Sequence, residues 1–112
     1  MDIQHLPIID WTLATKMAGN KREVAEEILT LFMKNLSTEM SAINQSYQNN
    51  RYKELGSQLH KLHGALCYCG LPRLKMLVAK MEMDIKQNNM DAIADMVTVL
   101  NDEVKLLVEE IS

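Results

Sequence analysis

Apolar residues recur every three or four positions along most of this 112-residue chain. That period is typical of α-helices that pack one face against a core, and no segment shows the strict alternation of a β-strand. The pattern predicts five helices, over 9–19, 21–48, 51–69, 72–87 and 91–111. Short connections between long amphipathic helices make neighbouring helices antiparallel. We therefore expect an all-α fold, an antiparallel up-down four-helix bundle with an additional short N-terminal helix, in a single domain 1–112.

The residues between these segments are typical of helix ends. Asp10 is a candidate N-cap for the first helix, and Asn20 followed by Glu23 resembles a capping box for the second. Gly70 is suited to terminate the third helix, and Pro72 to begin the fourth, where a missing N–H costs nothing.

Helical spacing also predicts which side chains enter the core. For the two helices before Gly70 these are Val24, Ile28, Leu31, Phe32, Leu36, Met40, Ile43, Tyr47, Leu55, Leu59, Leu62 and Leu66.

Charge and cysteine content narrow the partners. Twelve Lys and Arg against fifteen Asp and Glu give a net charge of -3, and no basic block exceeds Lys21-Arg22, so nucleic acid is not an expected partner. No apolar run approaches the ~20 residues needed to cross a bilayer, and the first residues do not resemble a signal peptide. Cys67 and Cys69 are too close for an unstrained disulfide, which indicates free thiols in a reducing compartment. We expect a cytoplasmic protein without direct membrane contact.

The third predicted helix carries the candidate chemistry. Its four leucines share one face, and His60 lies about 110° or more from them, so its imidazole should point to solvent. The residues on the same side as His60 are Lys53, Gly56, Ser57, His63, Gly64 and Cys67. Glycine inside a helix costs about 1 kcal/mol relative to alanine. Gly56 and Gly64 instead supply a bare surface on which another protein can approach the imidazole.

Two other interpretations remain open from the residues alone. An exposed histidine on a helix is most often idle, and Gly56 is also suited to a close approach of two helices. The bundle would then be a purely structural adaptor. His60, His63 and Cys67, at i, i+3 and i+7, also have the chemistry of zinc or copper ligands, although a structural site needs a fourth.

The order of residues around His60 resembles a known signature. His60-Lys61-Leu62-His63-Gly64, followed by Gly70, is similar to the signature of histidine-containing phosphotransfer (HPt) domains. The stretch from Leu59 to Arg73 resembles the HPt module that ends BarA-type hybrid sensor histidine kinases. One departure is His63, which stands where many family members carry lysine.

The resemblance implies a function for His60. In HPt domains an exposed histidine accepts a phosphoryl group from an aspartyl phosphate on a receiver domain, and by position that residue is His60. The implied partners are the receiver domains of a hybrid kinase and of a response regulator. The chain would be a monomeric phosphocarrier without autonomous catalytic activity, cofactor or metal of its own, since Mg²⁺ belongs to the receiver. As part of a hybrid kinase it would lie at the cytoplasmic face of the inner membrane.

Other residues receive supporting roles. Lys61, His63 and Gly64 are expected beside the phosphoryl group, and a hairpin centred on Gly70 would place Lys80 opposite His60. The predicted surface for the receiver contains Lys53, Gly56, Ser57, Cys67, Met76, Lys80 and Met83.

Overall fold

The computed structural model describes residues 2–112, and within that range every regular element is helical. The helices are α1 (Trp11–Met17), α2 (Arg22–Gln48), α3 (Tyr52–Leu66), α4 (Pro72–Lys86) and α5 (Met90–Ile111). Gly56 of α3 lies next to Ile85 of α4, and His60 lies next to Glu82, so residue numbers rise along one helix as they fall along the other. The antiparallel helical bundle predicted from the sequence is confirmed.

The helix ends agree with the sequence only in part. The Leu13 N–H donates to Asp10 Oδ1 at 3.0 Å, which confirms the cap on α1. The prediction of a capping box at Asn20 is wrong, because α2 begins after Lys21 without a side-chain cap and Asn20 adopts a left-handed φ of 65°. Helix α3 ends at Leu66 rather than at 69, because the chain turns over 67–70 before Pro72 opens α4.

In α2 and α3 the core follows the predicted spacing with one clear exception. The four leucines of α3 are all buried, as expected. Leu31 of α2 is 61% exposed, and Leu29 is buried instead. Leu31 precedes the buried Phe32 by about 100° of helix rotation, which moves it off the buried face.

Gly70 does more than terminate a helix, because it also allows a close approach of α1. It adopts a left-handed φ of 65°, and its carbonyl accepts the Asp10 N–H at 2.9 Å. A Cβ at this position would lie 2.6 Å from the Cβ of Ala14 in α1. The missing side chain therefore lets α1 rest on the α3–α4 turn.

Polar side chains join the longer helices in the interior. Arg73 of α4 forms an ion pair with Glu103 of α5, and both are largely buried. Asn44 of α2 and Asn101 of α5 exchange two amide hydrogen bonds, at 3.0 and 2.8 Å.

Among residues 2–112, no helix has both the length and the apolar character required to span a membrane.

Candidate functional site

His60 lies in the middle of α3 with its side chain exposed. The imidazole is 76% accessible to solvent, because the leucines on the opposite side of α3 hold that face against the core. Gly64, one turn later, is also exposed, and a Cβ built there would meet no atom within 4 Å. The surface beside the imidazole is therefore open, as the sequence predicts.

A buried glutamate of α4 faces this histidine. Glu82 Oε2 lies 2.6 Å from His60 Nδ1, and Glu82 Oε1 lies 3.1 Å from His63 Nδ1. The ammonium of Lys86 is 3.5 Å from Oε2. The Glu82 side chain is only 9% exposed. The partners of its carboxylate are therefore chiefly His60, His63 and Lys86 rather than water.

The partners of Glu82 decide its charge. Burial by itself raises the pKa of the Glu82 carboxyl, but the hydrogen bonds from His60 and His63 and the charges of His60 and Lys86 outweigh burial. The net effect is that the pKa of Glu82 falls below its ordinary value of 4.5. Glu82 is therefore ionised at neutral pH, and an ionised carboxylate accepts hydrogen bonds but donates none.

This hydrogen bond selects one form of the His60 ring. Because the Glu82 carboxylate accepts the proton on Nδ1, the neutral imidazole carries its lone pair on Nε2. The ring is mostly exposed, so Nε2 is available to an incoming group. The site therefore presents an oriented nitrogen nucleophile on a rigid helix.

The structure corrects the placement of Lys80. Its ammonium pairs with the buried Asp84 at 2.6 Å on the same helix. Lys80 precedes Glu82 by two residues, which is about 200° of helix rotation. The hairpin is centred near Leu71 rather than at Gly70, so Glu82 and not Lys80 lies opposite His60.

A shallow depression borders His60 on one side. It is lined by Lys53, Gly56, Ser57, His60, Glu82, Ile85 and Lys86. The predicted neighbours Lys53 and Ser57 thus lie beside the imidazole, and Lys86 adds a second cation. Gly56 has a packing role as well, because a Cβ there would lie 3.1 Å from Ile85 Cγ2. Its missing side chain serves the approach of α3 and α4.

On the other side, His63 borders an open apolar cleft of about 410 Å³ between α1, α3 and α4. Its lining includes Leu13 and Met17 of α1, Cys67, and the predicted docking residue Met76. We call this surface the apolar cleft. Met83, two turns after Met76, is 53% exposed but does not line the cleft. Lys61 is exposed on the neighbouring side of α3.

Sequence reasoning missed Glu82 and Lys86. Both belong to the charged pattern of α4, which resembles an ordinary solvated face. The signal that would have found them is the register of the hairpin, since a centre one residue later places Glu82 opposite His60.

The metal alternative has no ligand set in the structure. Among residues 2–112, no group of three or more His, Cys, Asp or Glu side chains is arranged to hold a metal ion. Cys67 and Cys69 are both free thiols, as predicted. Burial, with a smaller contribution from Cys67, raises the pKa of Cys69 to about 11, so that thiol stays protonated at neutral pH.

Comparison with known proteins agrees with this geometry. The family model described as Hpt domain matches residues 27–111. The sensor histidine kinase GacS of Pseudomonas protegens is 29% identical over 89 residues, which are 80% of this chain and 10% of that protein. The signal transduction histidine-protein kinase BarA of Escherichia coli K12 is 28% identical over 78 residues, 70% of this chain and 8% of that protein. This chain thus spans about a tenth of the length of these curated relatives.

A solved structure has the same fold. The crystal structure of the HPT domain from an Hpt sensor hybrid histidine kinase of Shewanella superposes with a TM-score of 0.68 at 26% identity. The match covers 92% of this chain and 95% of that one.

Proposed function

This chain belongs to the Hpt domain family of phosphorelay signal transduction, and on that premise we propose that it carries a phosphoryl group on Nε2 of His60. The observation that supports this role is the pairing of His60 with Glu82. The carboxylate orients the ring through Nδ1 and leaves Nε2 exposed beside the bare surface at Gly64.

The proposed reaction is a phosphoryl exchange with a receiver domain. The Nε2 lone pair attacks phosphorus, a P–N bond forms, the P–O bond of the aspartyl phosphate breaks, and the aspartate leaves as a carboxylate. Transfer through a loose transition state requires chiefly in-line positioning and charge neutralisation. A neutral imidazole needs no separate base. We assign the Mg²⁺ to the receiver and none to this chain.

Two lysines are placed to offset the charge of the bound group. A phosphoryl group adds about -1.5 to -2 charge near neutral pH, by analogy with phosphoserine. Lys53 and Lys86 line the depression beside His60. Both are exposed and can turn toward the phosphoryl oxygens at little cost in packing.

The apolar cleft supplies a docking surface for the receiver. It begins at His63, next to the nucleophile, and offers Met17 and Met76 as partly exposed apolar contacts. Methionine adapts to partners of differing shape, which suits transient association. We propose that the chain accepts the phosphoryl group from a hybrid kinase's receiver and passes it to a response regulator, in keeping with its similarity to the two sensor kinases.

The test is transfer from receiver domains labelled with radioactive acetyl phosphate. A panel of such receivers should give this chain a label that is lost in acid and kept in base, and His60→Gln should abolish it. His5→Gln, which alters an exposed histidine near the N-terminus, is the matched control and should label normally. A label that survives acid, or one that persists in His60→Gln, contradicts the proposal. No label from any receiver would favour the structural adaptor.

A further inference from the structure

A second imidazole shares the carboxylate that orients the nucleophile. His63 Nδ1 lies 3.1 Å from Glu82 Oε1, while His60 Nδ1 occupies Oε2. The proposed transfer chemistry uses only His60. We propose that His63 is the proton-accepting ligand of the phosphoryl group: when His60 is phosphorylated, His63 gains a proton on Nε2, so loading of the site is coupled to proton uptake. This inference rests on the proposed function.

The position of His63 places it within reach of the phosphoryl group. Residues three apart on a helix have Cβ atoms about 5–6 Å from each other. Both rings are held at Nδ1 by one carboxylate, so both keep Nε2 as the free ring position. The side chain of His63 is 31% exposed, so part of the ring is accessible from the surface.

Among the charged and titratable groups around His63, its own imidazole is the one suited to take up this proton. Helix α3 contributes His60 and Cys67, and α4 contributes Glu82 with Lys86 near its carboxylate and Lys75 in the cleft lining. From α1, the cleft lining contains only the apolar Leu13 and Met17. The lysines are already cationic at neutral pH and gain no proton.

Phosphorylation changes the charge that His63 meets. In the free protein, the single negative charge of Glu82 is shared by two imidazoles and one ammonium. The phosphoryl group adds roughly two negative charges one helical turn away. Imidazole is the side chain whose ordinary titration falls between about pH 5 and 8, so it responds to such a charge at physiological pH.

The coupled step is balanced. His60 Nε2 forms the P–N bond, the aspartyl P–O bond breaks, and the aspartate leaves as a carboxylate. One proton from solvent binds His63 Nε2, while each ring keeps its own proton on Nδ1 and donates it to the Glu82 carboxylate. The resulting imidazolium donates to a phosphoryl oxygen. The stabilised phosphorylated state carries one more proton than it would with His63 neutral.

The direction of the pH dependence follows from this proton count. Where the phosphorylated state binds one more proton than the free state, lower pH favours phosphoryl loading, by up to about tenfold in equilibrium constant per pH unit. Above the pH at which the imidazolium releases its proton, the extra stabilisation is lost. Below the pH at which the free protein is already protonated there, the dependence levels off.

The test compares the native chain with His63→Lys and His63→Gln. The equilibrium constant for exchange with one labelled receiver is measured between pH 6 and 9. Lysine keeps its charge across this range, so the ratio of the native constant to that of His63→Lys cancels the titration of the receiver and of the P–N bond. We expect this ratio to fall at least about threefold from pH 6 to 9. His63→Gln should load weakly at every pH.

A second measurement does not depend on the receiver. Long-range ¹H–¹⁵N spectra of the chain phosphorylated with phosphoramidate should show both ring nitrogens of His63 protonated at a pH where the free chain shows one. A flat ratio with normal labelling of His60, or an unprotonated Nε2 in the phosphorylated chain, overturns this inference alone. Absence of label on His60 in every chain instead overturns the proposed function and this inference together.

Discussion

At the scale of single residues, the site depends on one carboxylate that serves two imidazoles. Glu82 accepts from Nδ1 of both His60 and His63, and Lys86 lies beside one of its oxygens. A buried carboxylate is stable in its charged form only with such partners. The charge therefore contributes in two ways, because it fixes the tautomer of the nucleophile and ties α3 to α4.

Replacing Glu82 by Gln should impair both roles. The amide keeps the volume but carries no charge and presents an NH₂ group to one of the rings, so the ring of His60 is no longer held in the reactive tautomer. We expect phosphoryl transfer to fall about tenfold to a hundredfold, measured as the initial rate from a labelled receiver. Glu54→Gln, an exposed carboxylate on α3 paired with Arg51, is the control and should transfer at the native rate.

The same variant should differ from the native chain in its stability at neutral pH. The pKa of Glu82 is lowered on folding, so ionised Glu82 stabilises the native state above the ordinary value of 4.5, and this contribution is lost as pH falls through the folded-state pKa. Urea unfolding at pH 7 should find Glu82→Gln less stable than the native chain, with the gap closing below pH 4.5. A gap that widens in acid would show that Glu82 is not charged in the native state.

At the scale of helices, periodicity predicted the elements because each buried face repeats every three or four residues. The four leucines of α3 fix its orientation, and from that orientation the exposure of His60 follows. Periodicity contains no information on the register between helices. The partner of His60 depends on where the α3–α4 turn is centred. The observed centre lies one residue later than the predicted one, so Glu82 and not Lys80 lies opposite His60. Local capping signals failed at Asn20 for a similar reason, since the turn after α1 placed that residue in a left-handed conformation.

The two glycines of α3 have different roles: Gly64 keeps the surface beside His60 bare, and Gly56 allows close packing. Gly64 is open to solvent, whereas Gly56 lies against Ile85. Gly64→Gln should therefore raise the free energy of unfolding by about 0.5–1 kcal/mol, since glycine is a poor helix former and a Cβ at this position meets no atom within 4 Å. Transfer from the receiver should nevertheless fall, because the side chain occupies the space that the partner enters. Urea melts and labelling rates on one preparation check both effects, and unimpaired transfer would show that the bare surface is not needed.

At the scale of the whole molecule, the site is assembled from the consecutive helices α3 and α4 and from α1, which the long helix α2 separates from them in the sequence. Helix α3 carries the proposed nucleophile, His60, α4 carries the carboxylate that orients its ring, and α1 closes one wall of the apolar cleft. Helix α1 reaches this position because Gly70 lets it rest on the α3–α4 turn. Helix α5 contributes no residue to the cleft or to the depression beside His60. The surface around His60 is therefore built by α1, α3 and α4, and α5 lies outside it.

This arrangement predicts that docking and chemistry can be separated by mutation. Met76→Glu places a charge in the apolar cleft, about 39% exposed, where folding should tolerate it. Burying that charge under a receiver would cost binding energy, so we expect the half-saturating receiver concentration for transfer to rise at least about tenfold, which corresponds to about 1.4 kcal/mol. Labelling of His60 by phosphoramidate, which needs no docking, should stay at the native rate. Val99→Glu on α5 has matched exposure, 40%, and should change neither measurement. An equal rise in the half-saturating receiver concentration for both variants would mean that the receiver does not bind the apolar cleft. Slower phosphoramidate labelling in Met76→Glu would mean that the substitution disturbs His60 itself.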